Sequence, residues 1–255
     1  MLSSILDVIG LAHQRPYLTR DLRYYPMNLF RPWDRESCLL GIGQPHRIKV
    51  AAVRHALDGL RPGHYMIGHV PYQERLRDLF VSMGIRTFFV IRDPRAVVAS
   101  QVPYYMKHVS HYLYFRYRKL GTDKERLMAA IRGLKRADGK LKTNGIAEKL
   151  ALSVGWLGAE SVQVVRFEDM IGEQGGGSKA QQIQTTIDIG SHIGLELSEA
   201  EALAVGERAF GQGHTFRQGR TDSWREVFDE EAKDLFKELA GEYLIQLGYE
   251  ADDDW

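Results

Sequence analysis

A chain of 255 residues, 44% hydrophobic and 26% charged, has the apolar material for one large α/β domain and the composition of an ordinary globular protein. Its formal net charge of +1 gives the whole molecule no bulk attraction for nucleic acid, so any anion must be held by a local site. The single cysteine, Cys38, excludes an internal disulfide and fits a reducing cytoplasm, and no apolar run reaches the length of a membrane span.

In chain order, residues 2–11 place apolar side chains at helical spacing and read as a helix closing near Gly10. Residues 13–45 are rich in Pro, Arg and aromatics without periodicity, and read as an irregular surface segment. Helix returns over 48–60. Residues 65–70 form a short buried strand stopped by Pro71, and 72–83 an amphipathic helix. The run 87–91 is a second strand, and a helix opens at Pro94. Helical stretches follow over 110–134 and 146–157, then a third strand over 162–167. Helices over 179–193, 198–210 and 229–247 complete the chain, with a polar loop at 211–223. Helices alternating with short hydrophobic strands predict a parallel sheet covered on both faces, in one domain over 1–255.

The densest chemistry lies at Val90-Ile91-Arg92-Asp93-Pro94-Arg95. A strand stops at Arg92, Asp93 can cap the next helix, and Pro94 suits its first position. A cation beside a helix N-terminus is an anion site, and the Ser100 hydroxyl, about two turns along, can reach the same anion. The same residues also suit a simple corner in which an arginine pairs with Asp93. His69 ends the preceding strand, and ligands of open parallel sheets gather at the carboxyl ends of strands. An imidazole there can serve as a general base or merely bond within a loop. Phe167, at the end of the third strand, can stack on a nucleobase or fill the core. Phe216-Arg217-Gln218-Gly219 begins a loop able to hold phosphate, with Gly219 allowing close backbone approach. The run 172–179 misses the phosphate-binding loop pattern because Ser178 precedes Lys179, and it reads as a flexible connection. His108 and His111 have helical spacing but no evident further metal ligand. Residues 107–136 are basic and aromatic, which suits an acidic or membrane-facing surface as well as a solvated helix.

Together these segments resemble the cytosolic-type sulfotransferases, which transfer a sulfuryl group from 3′-phosphoadenosine 5′-phosphosulfate (PAPS) to an acceptor. Four motifs keep that family's order: Ile67-Gly68-His69-Val70-Pro71, Arg92 through Ser100, Arg166-Phe167-Glu168-Asp169, and Phe216 through Trp224. The resemblance implies a P-loop-NTPase-like three-layer domain, its central parallel sheet flanked by helices. It assigns the base to His69, the 3′-phosphate to Arg92 and Ser100, an adenine contact to Phe167, and a phosphate clamp to Phe216, Arg217, Gln218 and Gly219. It implies PAPS as co-substrate, no metal, and a small-molecule, lipid or glycan acceptor bearing a hydroxyl or amine. Gln218 stands where the family usually has Lys, and Ile67 where many members have Lys. The family's first strand and phosphosulfate loop have no counterpart before the helix at 2–11, which implies a gap in the sheet and a feeble or inactive enzyme. The rival readings are a nucleotide or small-molecule kinase of related fold, a nucleotide-binding module without catalysis, and a binding module using residues 104–136. Nothing in the sequence indicates an oligomeric state.

Overall fold

A computed structural model of the protein describes residues 1–15, 17–18, 22, 36–135, 141–212 and 221–255. In chain order the elements are α1 (Leu2–Val8), β1 (Ala12–His13), β2 (Ser37–Leu40), β3 (His46–Lys49), α2 (Val50–Asp58), β4 (His64–Tyr65), α3 (Glu74–Ser82) and β5 (Thr87–Ile91). They continue with α4 (Pro94–Lys107), α5 (Tyr114–Arg118), α6 (Asp123–Arg132), β6 (Gly133–Lys135), β7 (Leu141–Asn144) and α7 (Ile146–Ala151). The last are β8 (Val162–Arg166), α8 (Phe167–Met170), α9 (Lys179–His192), α10 (Glu199–Ala209) and α11 (Glu230–Gln246). These elements group into two compact units, Met1–Ile91 with Leu152–Gly219, and Arg92–Ala151 with Arg220–Trp255.

The first unit carries the parallel strands. β1 pairs with β4, Ala12 opposite His64 and His13 opposite Tyr65. β5 pairs with β8 from Thr87–Val162 to Ile91–Arg166. Consecutive strand residues face opposite layers, so Tyr65 and Phe88 pack with Ile5, Leu6, Val165 and Ile189 on one face. Met66 and Phe89 pack with Leu40, Val53, Leu76, Phe80 and Trp156 on the other. The result is the expected α/β arrangement, parallel strands with helices on both faces. The strands form two separate parallel pairs among the described residues. Ile67, just beyond β4, and Val90 of β5 are 38% and 42% exposed, unusual for apolar residues of a covered parallel sheet.

Three expectations need correction here. The strand read over 65–70 is ladder-paired only at His64–Tyr65; beyond it the chain stays extended, and the Ile67 and His69 carbonyls accept from the irregularly placed amides of Leu18 and Gly41. Residues 13–45 are not simply a surface segment. Leu18, Leu22, Cys38 and Leu40 lie in the core, and β2 forms an antiparallel hairpin with β3. A strand of four residues alternates too briefly to register as a period, and Cys38 acts as a small hydrophobe. Burial pushes its thiol up to about 11. The helical reading of 110–134 breaks into α5 and α6, because Thr122 and Glu125 close a capping box that restarts the helix.

The second unit is built around α4, α6, α7 and α11, whose Val98, Val102, Ile131, Ile146, Phe236 and Leu244 share one core. Asp93, Thr122 and Asp229 each accept a backbone amide at the start of a helix. The β6–β7 hairpin folds back on the end of α6 at two glycines. A Cβ on Gly133 would sit 2.4 Å from the Thr143 carbonyl oxygen, and one on Gly145 2.3 Å from that of Ile131.

Lys149 of α7 gives this unit a pH dependence of stated sign. Its ammonium donates to Gln101 Oε1 at 3.0 Å, and burial pushes its pKa down to about 8. Below pH 8 both folded and unfolded chains carry the proton, and the full penalty of burying the charge stands. Above pH 8 the folded chain sheds the proton while the unfolded chain keeps it up to about pH 10.4, so stability rises with pH. The rise should be about 1–2 kcal/mol between pH 7 and about 9.5. Near pH 10 the buried phenols of Tyr105 and Tyr117, both raised by burial, begin to reverse it, because only the unfolded chain ionises them readily. Lys149→Met should flatten the rising limb and stabilise the protein at pH 7. Urea melts at pH 7, 8 and 9 check both results, and an equal rise in the variant removes Lys149 as the cause.

Candidate functional site

The chain leaves β5 at Ile91 and enters α4 through Arg92, Asp93 and Pro94. The predicted cap is present: Asp93 Oδ1 accepts the Arg95 amide at 2.8 Å, with Pro94 in the first turn. The helix start is less open to an anion than the sequence suggests. Pro94 has no amide proton, and Asp93 accepts from both the Arg95 and Val97 amides. Anion recognition at this corner therefore falls to charged and hydroxyl side chains more than to free backbone amides. Arg92 is half-buried, its Nε inaccessible to solvent. Ser100 lies seven residues beyond the cap and hence on the same helix face. Its hydroxyl donates to the Val97 carbonyl at 2.8 Å, and rotation about one bond turns that proton toward an anion.

A second arginine, which sequence reasoning missed, organises the corner. Arg95 is 3% exposed. Its Nε and Nη2 donate to Asp93 at 2.8–3.2 Å, and its Nη1 donates to Glu250 Oε1 at 2.5 Å. The guanidinium carbon lies 4.1 Å from the ring centroid of Trp224 and 4.4 Å from that of Trp255. The pairing foreseen at Asp93 thus involves Arg95, two residues on. The Asp-Pro-Arg spacing was a signal for it; the partners Glu250 and Trp255, some 155 residues away, had none.

His69 belongs to the first unit. It sits in the extended segment after β4 with its side chain exposed, while its carbonyl accepts the Gly41 amide at 2.8 Å. Its neighbours are pinned as well: the Ile67 carbonyl accepts from Leu18, and the Val70 carbonyl accepts Trp156 Nε1–H at 2.9 Å. An exposed imidazole on a fixed backbone can exchange a proton with a bound molecule. Phe167 opens α8 directly after β8, whose last residue Arg166 lies opposite Ile91. It is half-buried, packed against the layer that holds Ile5 and Val165.

Phe216, Arg217, Gln218 and Gly219 lie outside the described residues. The 172–179 run is a defined turn rather than a flexible connection. The Gly177 amide donates to the Gly172 carbonyl, and Ser178 caps α9 by accepting the Gln181 amide. His108 and His111 lie in the turn between α4 and α5, not on one helix, and their rings pack on Tyr104 and Tyr105 at 4.5 and 4.8 Å. Among the described residues no cluster of His, Cys, Asp or Glu could hold a metal, and no helix is long and apolar enough to cross a membrane. An open depression of about 630 Å³ between α3 and the 155–160 turn, lined by Tyr72, Arg77, Asp78 and Gly155, contains none of the predicted site residues.

No protein-family model and no curated protein matches this chain. Solved structures do. One is mouse sulfotransferase SULT7A1 complexed with PAP, with a TM-score of 0.56 at 13% identity, over 79% of this chain and 73% of that one. Another is retinol dehydratase in complex with androsterone and the inactive cofactor PAP, with a TM-score of 0.50 at 16% identity. That match covers 74% of this chain, which spans about half (55%) of the retinol dehydratase chain. The chain has the sulfotransferase fold.

Proposed function

We propose that this chain is a sulfotransferase that moves a sulfuryl group from PAPS to a hydroxyl or amine of a small-molecule, lipid or glycan acceptor. One observation carries the reading. A fold shared with two PAP-bound sulfotransferases presents, after a parallel strand, the Arg92-Asp93-Pro94 corner that the sequence resemblance assigns to the nucleotide's 3′-phosphate. The residues suit that ligand. Arg92 supplies a fixed charge, Ser100 a hydroxyl on the following helix, and Phe167 a half-buried aromatic ring for adenine. By resemblance, Phe216, Arg217, Gln218 and Gly219 complete the phosphate clamp.

In this reading His69 removes the acceptor's proton as the acceptor oxygen or nitrogen bonds to sulfur. The bond from sulfur to the nucleotide's 5′-phosphate oxygen breaks, and 3′,5′-adenosine diphosphate (PAP) leaves with that electron pair. Catalysis then rests on positioning and on neutralising charge at the leaving oxygen. No step requires a metal. Binding of the 3′-phosphate end is the property to test first, because Arg92 and Ser100, the residues assigned to it, are both described in the structure.

PAP at about a hundred times its Kd should raise the melting temperature by roughly 5–10 °C, the shift expected from about 2.7 kcal/mol of linked binding in a chain of this size. Arg92→Ala should abolish the shift, and 5′-AMP, which lacks the 3′-phosphate, should shift the wild-type protein much less. No response of the wild-type chain to PAP, or a larger response to Mg²⁺-ATP, would end the sulfotransferase reading.

A further inference from the structure

The nucleotide site leaves the turn between α4 and α5 unexplained. From Pro94 to Thr122 the sequence contains no Asp or Glu but carries Arg95, Lys107, Arg116, Arg118 and Lys119. In a molecule of net charge +1 this is a strong local excess. The segment is firmly seated: Tyr105, Leu113 and Tyr117 are buried in the core of the second unit. Between those anchors the backbone winds in tight turns, with amides of His111, Tyr114 and Arg116 donating to the carbonyls three residues earlier. Within it Val109, Tyr112 and Phe115 are 64%, 52% and 66% exposed. Lys107, Arg118 and Lys119, which flank them in sequence, are exposed as well.

We propose that this segment docks the protein on an anionic lipid bilayer, with Val109, Tyr112 and Phe115 entering the headgroup boundary and the cations meeting the acidic headgroups. Apolar side chains held outward amid basic ones, on a segment without carboxylates, are what interfacial lipid binding requires. A soluble polyanion such as a glycan or nucleic acid would use the cations but leave Val109 and Phe115 without a role. A second copy of the chain would place like charges face to face. An acidic protein is the remaining alternative, and the test separates it. The proposal does not depend on the sulfotransferase reading.

Co-sedimentation of the full chain with phosphatidylcholine vesicles, with and without about a third phosphatidylserine, tests it. The protein should pellet with the phosphatidylserine vesicles and lose that binding in high salt. Neutralising Lys107, Arg118 and Lys119 together (K107Q, R118Q, K119Q) should weaken binding about a hundredfold, from about fivefold per cation near an anionic surface. Val109→Ser with Phe115→Ser should weaken it at least about tenfold. Both variants alter exposed positions and should keep the wild-type melting temperature; if the charge variant unfolds, Lys119→Gln alone replaces it, and if the apolar variant unfolds, Phe115→Ser alone replaces it. Failure of the wild type to pellet with acidic vesicles overturns the proposal. So does an apolar variant that binds as well as wild type, which would mean charge adhesion alone, as to an acidic protein or polymer.

Discussion

Arg95→Ala is expected to destabilise the second unit by about 3–5 kcal/mol, the cost of breaking a buried ion pair from one side. The guanidinium is 3% exposed and holds two carboxylates at once, Asp93 from the helix cap and Glu250 from the C-terminal tail. Deleting it leaves Asp93, itself buried, as a carboxylate without that counter-charge, and empties the space beside the Trp224 and Trp255 rings. Lysine should rescue little, since a single ammonium cannot fork Asp93, reach Glu250 and pack against two indoles together. Arg95→Met should fall between alanine and wild type, because it restores packing without charge. Urea midpoints at pH 7 measure all three. A loss under about 1 kcal/mol for alanine would mean that the clasp is ornamental. The contrast with Arg92 is the informative part. Two arginines three positions apart are assigned opposite duties, Arg95 to hold the corner together and Arg92 to meet the ligand. Stability should therefore follow position 95 and nucleotide response position 92.

That division also marks what the sequence can reveal. The corner itself is legible because it is local: a β-branched run, a capping aspartate and a proline in the first turn follow one another without interruption. α10 is legible for the same reason, with Ser198 and Glu201 closing a capping box. Contacts between remote positions are not. Glu250 and Trp255 look like an ordinary acidic tail until the fold brings them to Arg95. The β6–β7 hairpin goes unseen because Gly133 and Gly145 are needed for their approach to backbone that lies about ten residues away, and Gly133 also for its positive φ of 80°. Strands of two to four residues, such as β1 and β2, carry too few alternations to be told from loop. The candidate site divides along the same line. Arg92, Ser100 and Phe167 follow strand ends or lie on the next helix, where local pattern places them, whereas His69 lies beyond β4 and its mounting depends on Gly41 and Trp156 from elsewhere in the chain.

His69→Gln should cost turnover about a hundredfold to ten-thousandfold, the usual contribution of a positioned general base. Glutamine keeps a hydrogen-bonding side chain of similar reach but cannot take up a proton at neutral pH. The backbone at this position is held through its carbonyl by the Gly41 amide, and the neighbouring Val70 carbonyl by the Trp156 indole. Neither bond involves the imidazole, so the substitution should leave the mounting and the melting temperature in place. PAP should still stabilise the variant, because the 3′-phosphate contacts are assigned to Arg92 and Ser100. The expected signature is therefore a fall in kcat with nucleotide affinity unchanged. Sulfuryl transfer from PAPS to a responsive acceptor, measured beside the PAP-induced thermal shift, separates the two quantities. If His69→Gln transfers at the wild-type rate, the exposed imidazole is not the base, and proton removal must be sought at another group on the acceptor side.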